Sequence, residues 1–237
     1  MGGESREFKQ MAIRDVIQGM AVAAAGAAER IKLSMKGLPK HIAITIEEPD
    51  AAHLKDIVFT AAKLGIPVLT FQLLRRNYEI EDIDWLVQLF SELGNWSFIQ
   101  ENQFKVSVLG KWYALPSRLV EPIKKVLEDT KDYDKFFINF CINYDGQEEI
   151  VDACRLIARQ VAMGKLNPEG IDKATIKENS YSSFFLPPEL IIKTGFEKKL
   201  FGFMLWDSVD SKIYFANKPW REFGRPDFLK AIEWWQR

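Results

Sequence analysis

The sequence predicts an α/β fold, with a mostly parallel central sheet flanked by helices on both faces. Short apolar, β-branched runs such as 41–46 alternate with amphipathic helical stretches, and short links separate them. The strands of a parallel sheet are buried on both sides, so they consist of continuous apolar runs like these. The chain of 237 residues is also long enough to bury a sizeable core without a disulfide or metal.

Each element follows from its own pattern and from the residues that interrupt it. Asp50 is a suitable N-cap for the helix after the first strand, Gly65 ends that helix, and Pro67 cannot continue it. Further helices show apolar residues at i+3 and i+4 spacing. Strands are expected at 41–46, 68–73, 105–109, 136–143 and 190–193, and a further short element is expected to start at Phe203–Leu205. Helices are expected at 7–33, 50–64, 82–93, 116–130, 146–163 and 228–235.

Composition excludes several classes of function. The 32 Lys and Arg residues balance 33 Asp and Glu, and this net charge of −1 argues against a nucleic-acid-binding protein. With two His and two Cys, a four-thiolate zinc site is impossible, and these residues show no paired ligand spacing. Cys141 and Cys154 have a spacing that allows pairing, but so few cysteines indicate a reduced, cytoplasmic protein.

Residues 1–37 are expected to form an N-terminal helical segment, separate from one domain over residues 38–237. The apolar stretch Val16–Ala28 is too short to span a bilayer, and a packing helix is its simplest interpretation. The alternative is a helix that rests on a membrane surface or a partner. Basic residues that would suit an anionic surface follow it, namely Arg30, Lys32, Lys36 and Lys40.

Two segments in the second half have a specific pattern. The first is Phe137-Ile-Asn-Phe-Cys-Ile-Asn-Tyr-Asp-Gly-Gln-Glu-Glu-Ile-Val-Asp-Ala153. The second is Pro188-Glu-Leu-Ile-Ile-Lys-Thr-Gly-Phe-Glu-Lys-Lys-Leu-Phe-Gly-Phe-Met-Leu-Trp206. In order and spacing both resemble the cis-prenyltransferases, the undecaprenyl diphosphate synthase family, and the later Trp220 and Asp227-Phe228 fit as well. The resemblance extends over residues 38–237.

The resemblance implies chemistry on diphosphates. Family enzymes condense isopentenyl diphosphate onto an allylic diphosphate, and they stabilise the leaving group with Mg²⁺, arginines and backbone donors. By position, Lys193 and Lys199 replace the two family arginines that hold isopentenyl diphosphate. The expected diphosphate-binding residues are therefore Lys193, Thr194, Gly195 and Lys199. Lysine keeps the charge of arginine but loses its planar, bidentate geometry.

Other positions depart from the family pattern. The metal-binding motif Asp-Gly-Asn-x-Arg-Trp is absent after the first strand, where Glu47-Glu48-Pro49-Asp50 stands instead. Glu47 or Glu48 is a candidate replacement carboxylate, and a solvated loop before a helix is the simpler interpretation. Lys212 replaces the Glu that helps to hold Mg²⁺, so no metal is expected in this chain. It either completes a basic cluster with Lys193 and Lys199 or is one of three surface lysines.

Further substitutions weaken the match to a working enzyme. Phe196 and Phe201 replace a family Gly and a phosphate-contacting Ser, and Asn77 lacks its family context after the second strand. Arg75 and Arg76 could meet a phosphate or a partner's carboxylate, but exposed arginines are usually solvated. Four apolar residues are candidates for a prenyl tunnel, although aromatic residues at helical spacing are more often plain core: Trp85, Leu89, Phe90 and Trp96.

The pattern is closest to the Nogo-B receptor type, the non-catalytic subunit of heteromeric cis-prenyltransferases. It predicts an accessory subunit that pairs with a catalytic homologue, in which Mg²⁺ is expected, to make polyprenyl diphosphate for glycosyl carrier lipids. Two alternatives stay open. One is a divergent prenyltransferase that acts alone on an allylic diphosphate, and the other is a protein that binds a polyprenyl lipid without turnover. In each case the location is cytoplasmic, with peripheral membrane contact as an option.

Overall fold

Six parallel strands form the centre of the molecule. The computed structural model describes residues 37–47, 51–75, 78 and 80–237, without the side chains of residues 52 and 75. The strands form one sheet in the order β3-β4-β2-β1-β5-β6, and every neighbouring pair is parallel. They are β1 (His41–Thr45), β2 (Val68–Arg75), β3 (Phe104–Leu109), β4 (Phe136–Tyr144), β5 (Leu190–Lys193) and β6 (Lys212–Phe215).

Helices connect these strands and cover the sheet on both faces, as the sequence predicts. Their bounds, numbered from the first described helix, are α1 (Ala51–Leu64), α2 (Ile80–Leu93), α3 (Ser97–Glu101), α4 (Ser117–Asp129), α5 (Gly146–Ala162), α6 (Lys173–Glu178) and α7 (Arg225–Trp235). Gly65 adopts φ +77° directly after α1, so the expected left-handed glycine is present. Two expectations lie outside the described residues. One is the N-terminal segment 1–37 with its helix at 7–33, of which only residue 37 is described, and the other is the N-cap Asp50.

The two faces of the sheet differ in chemistry. On the first face, residues such as Ile42, Phe71 and Phe140 pack with α1, α2, α4 and α7 into one large apolar core. On the second face, a smaller apolar cluster is interleaved with buried polar side chains, among them His41 and Asn139. Strand alternation explains the division, because successive side chains point to opposite faces.

The local structure differs from the expected elements at four places. Phe203–Leu205 begins no regular element, and hydrogen-bonded turns occupy the segment from Phe201 to Asp210. The sixth strand, β6, was not expected, and neither were the short helices α3 and α6. Both cysteines are free, with Cys141 buried and Cys154 exposed, as expected of a reduced protein. Among the described residues, no helix is long and apolar enough to cross a membrane.

Candidate functional site

The carboxyl ends of β1 and β5 lie side by side and form the candidate site. These strands pair in parallel with Thr45 opposite Lys193, so the residues that follow each strand meet at one edge of the sheet. The Thr194 hydroxyl donates to the Thr45 carbonyl over 2.6 Å and fixes the two strand ends to each other. In open α/β sheets, ligands bind outside this edge.

Four residues at this edge form what we call the Lys193 cluster: Glu47, Lys193, Thr194 and Gly195. The Lys193 ammonium is 2.5 Å from the Glu47 carboxylate and also donates to the Thr194 carbonyl. The Lys193 side chain is 1% exposed and the Glu47 side chain 28%. A buried ammonium requires a partner because its desolvation is costly, and here Glu47 supplies the opposite charge.

Glu47 also fills the space against Gly195. A Cβ placed on Gly195 would lie 1.7 Å from a Glu47 carboxylate oxygen, so a larger residue would displace that side chain, and the glycine's φ of +82° itself favours glycine. The Gly195 N–H is not free for a ligand, because it donates to the Lys218 carbonyl over 2.6 Å. The Glu47 carboxylate thus lies against both the Lys193 ammonium and Gly195.

Of the expected diphosphate-binding residues, the structure brings together Lys193, Thr194 and Gly195. Lys199 lies in the exposed segment after Gly195. Glu47 is an exposed residue after β1, as a solvated loop requires, but its carboxylate also pairs with a buried lysine. Sequence reasoning missed this pair, since only the adjacency of β1 and β5 reveals it.

Lys212 does not complete a basic cluster with Lys193. It is opposite Leu190 at the amino end of β5, three residues and therefore about 10 Å along the strand from Lys193. Its ammonium donates to the Trp235 carbonyl over 2.8 Å. Glu48, Arg76 and Asn77 lie outside the described residues, as does the side chain of Arg75.

The cluster does not fit a magnesium ion. Mg²⁺ prefers oxygen ligands in octahedral geometry, whereas the Glu47 carboxylate faces an ammonium group. Within the described part of the chain, no group of three or more His, Cys, Asp or Glu side chains could hold a metal ion. The cluster can instead hold one anionic group, and in this structure that group is its own carboxylate.

The four tunnel candidates lie in the apolar core of the first face. Leu89 and Phe90 are each 1% exposed, Trp96 is 6% exposed, and Trp85 is partly buried against the same core. Phe90 packs edge to face on Phe140, with ring centroids 5.4 Å apart. These side chains lie in the apolar cluster of the first face, and their role as tunnel residues stays a prediction.

The first family-like segment has a structural role in this chain. The Tyr144 hydroxyl donates to one Glu149 carboxylate oxygen over 2.5 Å, and the Ser182 N–H donates to the other over 3.2 Å. Burial raises the pKa of Glu149, while these two hydrogen bonds act in the opposite direction. Tyr144 and Glu149 therefore attach the loop at Ser182 to the start of α5.

A second group of buried polar residues lies on the second face, near the amino ends of the strands. Nδ1 of His41 is 2.6 Å from the Leu186 carbonyl, which can only accept, so Nδ1 bears the proton. Nε2 then accepts from the Thr70 hydroxyl over 2.7 Å. The Asn139 amide donates to that hydroxyl oxygen over 3.1 Å. Burial lowers the pKa of His41 and so favours the neutral imidazole, and the bond to Leu186 determines which ring nitrogen bears its proton.

His41 should make stability depend on pH. Burial lowers its pKa from 6.5 to about 4; the Leu186 bond and Asp207 oppose this, while Lys177 adds to it. As pH falls from about 6.5 to about 4, the unfolded chain gains a proton that the folded chain excludes, and stability should fall by roughly 3 kcal/mol. Urea unfolding between pH 7 and 4 should show this loss in the wild type and not in His41→Gln.

His53→Gln, which keeps His41, is the control and should retain the dependence that His41 causes. An identical pH dependence in the wild type and His41→Gln would contradict the assignment of a buried, neutral His41.

The fold and the site together define a class. The all-parallel α/β sheet has a buried lysine and a positive-φ glycine at the carboxyl end of β5, and open α/β sheets bind their ligands at this edge. Residues 47–237 match the family model described as "Putative undecaprenyl diphosphate synthase". The chain belongs to this family of prenyltransferases.

Similar proteins agree with this assignment. The chain is 34% identical over 226 residues to a tritrans,polycis-undecaprenyl-diphosphate synthase (geranylgeranyl-diphosphate specific) of Methanocaldococcus jannaschii, covering 84% of this chain and 81% of that protein. It is 32% identical over 208 residues to an isoprenyl transferase of Thermotoga maritima, covering 84% and 85%. Both relatives are named as enzymes.

Solved structures give the same fold. Lavandulyl diphosphate synthase from Lavandula x intermedia, in complex with dimethylallyl diphosphate, superposes with a TM-score of 0.78 at 25% identity, covering 84% of this chain and 95% of that chain. A probable undecaprenyl diphosphate synthase from Campylobacter jejuni has a TM-score of 0.71 at 21% identity, with 86% and 97% covered, and this likeness concerns the fold alone.

Proposed function

We propose that this chain is a catalytically deficient, accessory subunit of a heteromeric cis-prenyltransferase that makes polyprenyl diphosphate for glycosyl carrier lipids. One observation supports this most directly. The Lys193 ammonium, at the position expected to hold a diphosphate, is neutralised by Glu47. A diphosphate would have to displace a carboxylate that is attached to the same chain and therefore present at high effective concentration.

The loss of charged groups that catalysis needs points the same way. Ionisation of an allylic diphosphate builds negative charge on the leaving group, which requires preorganised cations and a metal. Lys212 stands at the position of the family's second metal-binding carboxylate, and the Lys212 ammonium donates to the Trp235 carbonyl. Mg²⁺ and the catalytic groups are therefore assigned to the partner subunit.

Exposed apolar side chains in the segment between β5 and β6, which begins beside the site, suit a partner. We call this the 196–209 surface, because four large apolar side chains of the segment are exposed. Large apolar side chains that a single segment exposes are candidates for contact with another protein. These side chains are Phe196 at 72%, Phe201 at 42%, Leu205 at 38% and Val209 at 82% exposure. We assign this surface to a catalytic cis-prenyltransferase homologue.

The test is incorporation of labelled isopentenyl diphosphate onto farnesyl or geranylgeranyl diphosphate. It uses the full chain alone and the full chain co-expressed with a homologue from the same genome that has an intact Asp-Gly-Asn-x-Arg-Trp motif. We expect no polyprenyl product from the chain alone, co-purification of the two chains, and activity of the pair above that of the homologue alone. Turnover by the chain alone at ordinary enzyme rates would overturn the proposal.

Variants locate the interface. Phe196→Asp combined with Val209→Asp should reduce co-purification and the activity of the pair at least tenfold, because charges would be buried against the partner. Met163→Asp is the matched control, since Met163 is 66% exposed and lies outside the 196–209 surface, after α5. Equal co-purification of the double variant and the control would exclude this surface as the interface.

A divergent enzyme that acts alone is the second candidate. The similarity to relatives named as a synthase and an isoprenyl transferase, which extends over 84% of the chain, favours it. In that case Glu47 would have to leave Lys193 when a diphosphate binds. The assay of the chain alone separates the two candidates.

A further inference from the structure

A cavity of about 400 Å³ lies on the second face, at the amino ends of the strands. Its volume is within the range of pockets that bind small organic ligands. We call it the second-face cavity. It is separate from the Lys193 cluster, because His41 in its wall and Thr45 beside that cluster are four residues apart on β1, about 13 Å. Most of its wall is apolar and aromatic, with Val68, Leu109, Phe137, Tyr181, Phe184 and Phe185.

The floor of the cavity is a straight row across four strands. His41, Val68, Phe137 and Lys105 are register partners on β1, β2, β4 and β3. Adjacent strands are about 4.8 Å apart, so the row is roughly 14 Å long. This length is comparable to that of an extended decyl chain. The shape therefore suits one apolar chain that lies across the strands.

The two ends of the row differ in charge. At the β3 end, the Lys105 ammonium donates to the Lys131 carbonyl over 2.7 Å, so it keeps its charge and two further N–H donors. At the β1 end, the backbone N–H of Lys40 donates to the Glu189 carboxylate over 2.5 Å, so a negative charge lies close to that end. The described residues that line the cavity include these two lysines and no Asp or Glu.

The polar floor is neutral and mostly satisfied. His41 and Thr70 use their hydrogen-bonding groups on Leu186, Asn139 and each other. The Oδ1 atom of Asn139 is buried without a partner among the described residues, next in register to Ser107 in the cavity wall. The apolar chain of a ligand would thus cross the floor without stripping hydrogen bonds from His41 or Thr70.

We propose that the second-face cavity binds an amphiphile with a single apolar chain and an anionic head. The chain lies along the row from His41 to Lys105, and the head group meets the Lys105 ammonium at the β3 edge, where water is accessible. The site is independent of the proposed partner and of the Lys193 cluster.

Calorimetric titration of the full chain with decyl phosphate, kept below its micelle concentration, tests the site. We expect saturable binding of one equivalent, with at least tenfold weaker binding for Lys105→Ala. Decanol, which lacks the anionic head, should bind the wild type more weakly than decyl phosphate does. Its affinity for the wild type and for Lys105→Ala should be the same. Lys40→Ala is the matched control and should change the affinity for decyl phosphate less than threefold, because Glu189 offsets that end.

Ser107→Phe places a ring in the cavity and should abolish binding of both compounds. Because Lys105→Ala changes only a partly exposed side chain, its result holds even if Ser107→Phe folds poorly. Absence of saturable binding by the wild type, equal affinity of wild type and Lys105→Ala for decyl phosphate, or undiminished binding by folded Ser107→Phe would each overturn the proposal.

Discussion

Glu47→Ala should lower the free energy of unfolding by about 3 kcal/mol, because among the described residues it leaves the buried Lys193 ammonium with the Thr194 carbonyl alone as a partner. The cost arises from the unpaired charge and not from the lost attraction alone. Lys193→Met in the Glu47→Ala background should therefore restore most of the stability. Urea unfolding at neutral pH measures both effects.

The exposed pair of Glu121 and Lys124 on α4 is the control. Their side chains are 68% and 58% exposed, so Glu121→Ala should cost about 0.5 kcal/mol or less. If the effects of Glu47→Ala and Lys193→Met were strictly additive, Lys193 would not depend on Glu47. The interpretation of the cluster as internally neutralised would then be wrong.

Phe90→Ala should lower the free energy of unfolding by about 3–5 kcal/mol, because the ring is 1% exposed in the core of the first face. The ring packs on Phe140, and its removal leaves a cavity that neighbouring side chains fill only in part. Urea unfolding again measures the loss. A tunnel-lining residue would behave differently, since its loss would widen a space that is already open.

Ile80→Ala is the matched variant on the same helix. Ile80 is the first residue of α2 and is 57% exposed, so truncation should change stability by less than about 1 kcal/mol. Comparable, small effects of the two variants would indicate that Phe90 borders an open space, as the tunnel hypothesis required.

The sequence predicts five of the six strands because each is a buried apolar run with clear boundaries. Leu190–Lys193 has the predicted bounds, and Val68–Arg75 extends two residues past its predicted end. The sixth strand, Lys212–Phe215, has four residues, is only partly buried and lies at the edge of the sheet, so its pattern is weak. The helices α3 and α6 are too short for periodicity to show.

The candidate site is predictable only in part, for a physical reason. Lys193, Thr194 and Gly195 belong to one segment with a specific pattern, so their proximity follows from the sequence. Glu47 joins them because β1 and β5 are neighbours in the sheet, and the order of elements along the chain does not give that neighbourhood. Helical spacing places Phe90 on a buried face and does not distinguish core from tunnel.

The pairing of β1 with β5 also has a consequence for how the chain folds. The contact between Thr45 and Thr194 closes a loop of 149 residues, and the loop closed by Glu47 and Lys193 spans 146. Closing such loops costs chain entropy before the contact returns any stabilisation, and pairings of high sequence separation form slowly. We therefore expect the Lys193 cluster to be among the last parts of the molecule to assemble, after the β2–α2–β3–β4 region has formed from more local contacts.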